Sequence, residues 1–260
     1  MIDCHTHLSD PCFDSDREVV VKKAMQAGVK RLAVVGQDSA ENERVLALTA
    51  DEPMYLTFLG LHPDRFADDR PWPKPEAVDD VIQQLETHRE RLTGIGEIGL
   101  DYRVCADGAR REAQRDALQK FAKVGIVLDL ALNVHSRSAG HYTIDLLLEA
   151  GASRVLMHAF DGRASHALRA AEAGFLFSIP PSILRSEQKQ KLVKRLPLKS
   201  LVLETDSPVL GPEKGVRNEP ANVAISAQAM AEIKQIPLEE VIRTTTENAI
   251  RLFGLSEISA

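Results

Sequence analysis

Cysteine is scarce in this chain, with Cys4, Cys12 and Cys105 the full set. Three thiols at irregular spacing build neither a disulfide framework nor a zinc knuckle, so a reducing cytoplasm is the expected compartment, or the nucleus in a eukaryote. No apolar run approaches the ~18 residues of a membrane helix, and no basic-then-apolar leader opens the sequence. Secretion and membrane spanning are therefore not expected. Positive charge is not in excess either. A formal net charge of −6 argues against a protein that coats nucleic acid non-specifically, while leaving room for an enzyme with a locally basic cleft. Linkers, low-complexity tracts and close repeats are also missing. The 260 residues, 44% hydrophobic and 27% charged, read as one domain spanning 1–260 that can bury a core without staples.

What is present is a rhythm of a short apolar run, a loop and an amphipathic stretch, repeated about every 30 residues. The runs fall at residues 2–4, 31–35, 55–61, 92–95, 130–134, 155–157, 175–179 and 201–203. Helical patterns fall at 18–27, 41–49, 76–89, 111–123, 141–149, 164–173 and 187–195, with 221–234 and 238–253 after the last run. Eight such units predict an α/β fold of the (β/α)8 barrel type. A doubly wound open sheet usually carries a glycine-rich phosphate loop after its first strand. Here Thr6-His7-Leu8-Ser9-Asp10-Pro11 stands at that position, so the barrel is the better reading.

In such barrels the reacting groups gather at the C-terminal strand ends, and the polar residues of this chain follow suit. Strand alternation points His5 and His7 the same way, which makes half a metal site, and sends Cys4 away from them into packing. His135 and His158 close the fifth and sixth strands. Glu97 follows Gly94-Ile95-Gly96, placing a central carboxylate where a two-metal centre needs its bridge. Asp206 is the expected terminal ligand and the acceptor of a proton from an attacking water. Glu204, two residues before it, either hydrogen-bonds a histidine or holds a further ion. Asp3 is a candidate to orient a ligand and Asp101 a candidate loop cap. His62 either contacts substrate or orders its loop. Arg137 suits a phosphate or a structural ion pair, and Arg217 with Asn218, in the loop after strand eight, are further phosphate candidates. The basic run Arg185, Lys189, Lys191, Lys194, Arg195 and Lys199 reads as a solvated helix face, with substrate steering as the alternative.

These motifs in this order resemble the TatD family of metal-dependent deoxyribonucleases, an amidohydrolase-like barrel group. The resemblance spans the chain and rests on D-C-H-T-H, G-L-H-P, G-E-I-G-L-D-Y, N-V-H-S-R-S-A-G, M-H-A-F-D-G, E-T-D-S-P and R-N-E-P. F-S-I-P-P-S-I and Q-K-Q-K-L-V-K are similar to the TatD-domain-containing protein 3 branch. The resemblance implies one ion held by His5, His7, Glu97 and Asp206, and a second by Glu97, His135 and His158. It implies hydrolysis of DNA phosphodiesters, from the 3′ end or within the strand, with RNA a further candidate. A substrate threaded to a barrel mouth should be single-stranded or frayed. Imidazole-rich ligation favours zinc or manganese, whereas the family adds magnesium. The expected enzyme acts as a monomer. An amidase or lactonase on the same barrel is the rival, but two-metal relatives of that kind often place a carboxylated lysine where Glu97 stands. A barrel kept only as a binding scaffold predicts a broken ligand set, and this set is complete.

Overall fold

A computed structural model describes residues 1–50, 52–72 and 77–256. Eight parallel strands lie in the order β1 (Ile2–Thr6), β2 (Arg31–Val35), β3 (Tyr55–Leu59), β4 (Gly94–Gly99), β5 (Ala131–His135), β6 (Val155–Met157), β7 (Leu176–Ile179) and β8 (Leu201–Leu203). The sheet closes where β8 runs out beside β1. Asp206 N donates to His5 O at 2.9 Å, and His7 N donates to Ser207 O at 2.8 Å. Around it run α1 (Arg17–Gln26), α2 (Ser39–Leu48), α3 (Ala77–Thr87), α4 (Gly108–Leu128), α5 (Gly140–Glu149), α6 (Ala164–Glu172), α7 (Glu187–Arg195), α8 (Val223–Lys234) and α9 (Leu238–Phe253).

Strands buried on both faces explain the near-continuous apolar runs. One face of each strand meets the helices. Leu32, Val34, Leu132, Val134, Phe177 and Leu203 pack there. The other face fills the barrel. Ile2, Cys4, Ala33, Phe58, Leu156 and Val202 form that inner cluster, which takes nothing from α1–α8 and is closed by Ala249, Leu252 and Phe253 of α9. Asn248 seals the same end by donating to Leu198 O and Leu201 O, at 2.9 and 2.8 Å. With the N-terminal end plugged, the opposite end is left to carry polar groups.

Two elements differ most from the sequence reading. The fourth strand begins later and runs to Gly99, so Glu97 lies inside a strand rather than after one. The fourth helix is longer at both ends than 111–123. Asp107 caps its start by accepting from Arg110 N at 2.9 Å, and Gly125 lets its last turns press onto β5, where an added Cβ would lie 2.5 Å from Leu132. The expected third helix includes Glu76, which lies outside the described residues.

Close backbone approach at the mouth depends on glycine. Asn42 clamps Gly60 by accepting from its N–H at 3.1 Å and donating to its carbonyl at 3.2 Å. A Cβ on Gly60 would stand 2.5 Å from the carbonyl oxygen of Glu97. Gly60→Ala should therefore destabilise the protein by about 1–3 kcal/mol, seen as a lowered Tm in thermal unfolding. An unchanged Tm would mean that β3 and β4 have room to spare there.

Candidate metal centre

Two irregularities in the barrel build the site. The β1–β2 register shifts between Asp3 and Thr6, and the β4–β5 register between Ile95 and Ile98. A shift of this kind breaks strict alternation. Cys4 packs in the inner cluster while the next residue, His5, also reaches inward to Asn133 of β5. Cys4 is thus packing, as expected, but below the histidines rather than turned away from them. In β4, Ile95 and Ile98 both face the helices, leaving Glu97 to turn into the mouth.

Glu97 stands at the centre, 2% exposed. Its two oxygens are divided between two groups of histidines. Oε2 lies 3.3 Å from His7 Nε2 and 3.5 Å from His5 Nε2. Oε1 lies 2.7 Å from His135 Nδ1, 3.3 Å from His62 Nε2 and 3.7 Å from His158 Nε2. Asp206 closes the ring with Oδ1 3.4 Å from His7 Nε2 and Oδ2 3.8 Å from His158 Nε2. Its φ of +55° swings the carboxylate inward at the point where β8 ends. The structure therefore brings together all six residues expected as ligands. It adds His62 to the group formed by Glu97 and His135.

The far side of most of these rings is already occupied. His5 Nδ1 donates to Asn133 Oδ1 at 2.9 Å, and Asn133 in turn donates to Cys4 O. His158 Nδ1 donates to Glu204 Oε2 at 2.8 Å, and His135 Nε2 donates to Asp101 Oδ2 at 3.0 Å. Gln37 holds its side-chain amide 3.3 Å from His7 Nδ1. The rings of His5, His135 and His158 are thus oriented from behind, with one nitrogen left for the centre, as histidines that ligate metals require. The spacing fits as well. Ligand atoms around a tetrahedral ion at ~2.1 Å lie about 3.4 Å apart, and the nitrogens and oxygens here are 3.2–3.8 Å apart across the His5, His7, His158 and Asp206 contacts. These residues fit divalent ions.

Electrostatics agree with a site built for cations. Burial pushes the Glu97 carboxyl up, but the charges of His62 and His5 and the His135 hydrogen bond hold it well below the usual range. Burial acts against His135, yet its bonds to Asp101 and Glu97 push it up to about 10. Asp206 is held low, against burial, by His158 and His7. Carboxylates kept ionised in a buried place call for positive partners.

The remaining candidates sort by geometry. Glu204 also accepts from Ser178 Oγ at 2.6 Å and Ala159 N at 3.0 Å, so it is an anchor for His158 with its oxygens fully engaged. Asp3 accepts from Thr205 N and Thr205 Oγ1, tying β1 to the end of β8. Asp101 is a loop cap, accepting from Arg103 N, and the anchor of His135 as well. Arg137, 53% exposed on its side chain, lines the mouth. Arg217 and Asn218 do not reach it. Arg217 is held by Asp16 at 2.6 Å and lies over the Phe13 ring, while Asn218 donates to Thr205 O and Val209 O and braces the loop. Their loop chose partners far off in the sequence, which no local motif reveals. Three residues escaped the sequence reading: Gln37, Asn133 and Ser178. Asn133 carried a signal, since alternation puts it on the face of His135. Ser178 carried one too, two residues from Leu176 of the inner cluster.

Removing the charge of Glu204 tests the anchoring. Glu204→Gln should weaken divalent-ion affinity by roughly 10- to 100-fold in a calorimetric titration. Unaltered affinity would make that carboxylate a packing feature.

Residues 2–254 match the family described as TatD related DNase. The chain belongs to that family. A human member named Deoxyribonuclease TATDN3 is 48% identical over 258 residues, covering 97% of this chain and 94% of its own length. YabD of Bacillus subtilis, named an uncharacterized metal-dependent hydrolase, is 31% identical, covering 98% of this chain and all of its own. Among solved structures, YJJV, the TatD homolog of Escherichia coli, superposes with a TM-score of 0.89 at 28% identity, covering 98% of both chains. The likeness expected from the motifs thus holds at the level of TatD family and barrel.

Proposed function

We propose that this TatD-family chain is a divalent-metal-dependent deoxyribonuclease. In this reading it hydrolyses phosphodiester bonds of single-stranded DNA from the 3′ end, with two ions at the barrel mouth. The observation that carries the reading is the division of the two Glu97 oxygens between two histidine groups. His5, His7, Glu97 and Asp206 would hold one ion; Glu97, His135 and His158 would hold the other. Zinc, manganese and magnesium are the candidates. When bound, such a pair activates water near neutral pH and neutralises phosphate charge.

The chain's own groups supply the rest. Asp206 takes the proton of the attacking water at a carboxylate oxygen, and its left-handed backbone holds that oxygen toward the centre. Arg137 and His62, on the cavity wall, orient the phosphate. The cavity measures about 560 Å³, within the ~300–1,000 Å³ typical of small-ligand pockets. That size suits one nucleotide of a single strand or frayed end. The name of the human relative supports DNA as substrate; RNA offers the same bond and is the neighbouring alternative. The activity is assigned to one domain, residues 1–260, acting as a monomer in the cytoplasm. Among the described residues no helix is long and apolar enough to cross a membrane.

The test is cleavage of an end-labelled single-stranded oligodeoxynucleotide by metal-stripped protein, with manganese, magnesium or zinc restored. Metal-dependent shortening is expected, and the product ladder reports direction. Failure with every ion, together with turnover of an amide or lactone, would replace the nuclease by the amidohydrolase alternative.

A further inference from the structure

Lys189 breaks the pattern of its own helix. Its neighbours in the basic run, Lys191, Lys194, Arg195 and Lys199, are exposed, as a solvated face should be, whereas Lys189 is only 7% exposed and lines the mouth cavity. Lys189 therefore lies off the solvated face expected for this run. Its Nζ donates to the carbonyl of Ala159 at 3.0 Å. Ala159 directly follows His158 and has a φ of +38°, with its own N–H held by Glu204. Among the described residues no carboxylate lies within 4.0 Å of the ammonium, and Ala159 is its one hydrogen-bond acceptor.

An ammonium carries three donors. Two of them here are left without a protein acceptor in a place nine-tenths withdrawn from water, an arrangement that is costly unless something in the cavity accepts them. Burial lowers the pKa of Lys189, and the fields of Glu204, Asp161 and Asp206 act in the opposite sense. Arg137 lines the cavity too, 4.0 Å from Asp101 beside His135, whereas Lys189 belongs to the His158 side. The two cations flank the centre. An ion pair would satisfy Lys189 inside the fold; its absence leaves the charge for an anion that enters.

We propose that Lys189 is a phosphate-binding residue, donating to a non-bridging oxygen of the substrate phosphate on the His158 side of the centre. The assignment rests on the phosphodiester reading above and adds to it a buried, fixed cation. Arg137, 53% exposed on its side chain, faces the same phosphate from the His135 side.

The experiment is calorimetric titration of inorganic phosphate into the manganese-loaded protein, with manganese content measured in parallel. Lys189→Gln keeps a donor for Ala159 and removes only the charge; Lys189→Met removes both. Each should weaken phosphate roughly 10- to 100-fold with manganese content retained. Lys191→Met, two residues on and paired with Glu187 at 3.1 Å, removes the same charge from the solvent face and should leave phosphate affinity within about twofold. Phosphate affinity unchanged in Lys189→Gln would overturn the assignment, as would a loss explained by lost manganese, which would make Lys189 a support for the His158 loop. Should Lys189→Met fail to fold, the Gln variant decides. A wild-type protein that takes up no phosphate would sink the phosphodiester reading and the Lys189 assignment together. Wild type that binds phosphate through Lys189 yet cleaves no oligonucleotide would sink the nuclease reading alone.

Discussion

Glu97→Ala is expected to abolish metal-dependent cleavage, lowering the rate by about 10³-fold or more. The reason is geometric. Among the described residues no other side chain faces both His5 with His7 and His135 with His62, and Glu97 does so through separate oxygens. Without it the His135 group loses the carboxylate that would hold its ion and the His5–His7 group keeps only Asp206, so two binding events are weakened by one substitution. The fold should tolerate the change better than an ordinary broken buried ion pair, which costs about 3–5 kcal/mol, because the histidines can shed their protons once the carboxylate is gone. Single-turnover cleavage with restored manganese, alongside circular dichroism, checks both halves. Cleavage within tenfold of wild type, from folded protein, would remove Glu97 from the centre.

Asp206→Asn should act differently. Asparagine enters the left-handed region as readily as aspartate, so the turn at φ +55° and the bonds from Asp206 N to His5 O and from Val209 N to Asp206 O should survive. What is lost is charge and the ability to take a proton. The expected result is a fall in kcat of roughly 10²- to 10⁴-fold, with KM and Tm little changed. A KM effect with unchanged kcat would move Asp206 from chemistry to binding.

Much of this site was legible because it obeys strand periodicity. His5 and His7, two apart, meet at Nε2 with 3.2 Å between them, as side chains on one face must. His135 and His158 end their strands, as expected of barrel-mouth residues. Glu97 was expected just past the apolar run 92–95, and it instead projects from a register shift inside β4. The rest was hidden because it depends on contacts between distant stretches. The pairing of Asp101 with His135, and the bracing of Thr205 by Asp3, join segments that local patterns treat separately. Lys189 hid in a run of like charges, where only packing tells the one inward residue from its solvated neighbours. Arg217 gave the opposite error. Its loop looked like a phosphate grip, and the fold tied it to Asp16 instead.

Anomalous diffraction from crystals grown with manganese tests most directly whether Glu97 shares two ions between its oxygens. Two peaks flanking the Glu97 carboxylate, ~3.5–4 Å apart, one beside His5 and His7 and the other beside His135 and His158, are the expected result. A single peak, or two that leave Glu97 uncoordinated, would contradict the account.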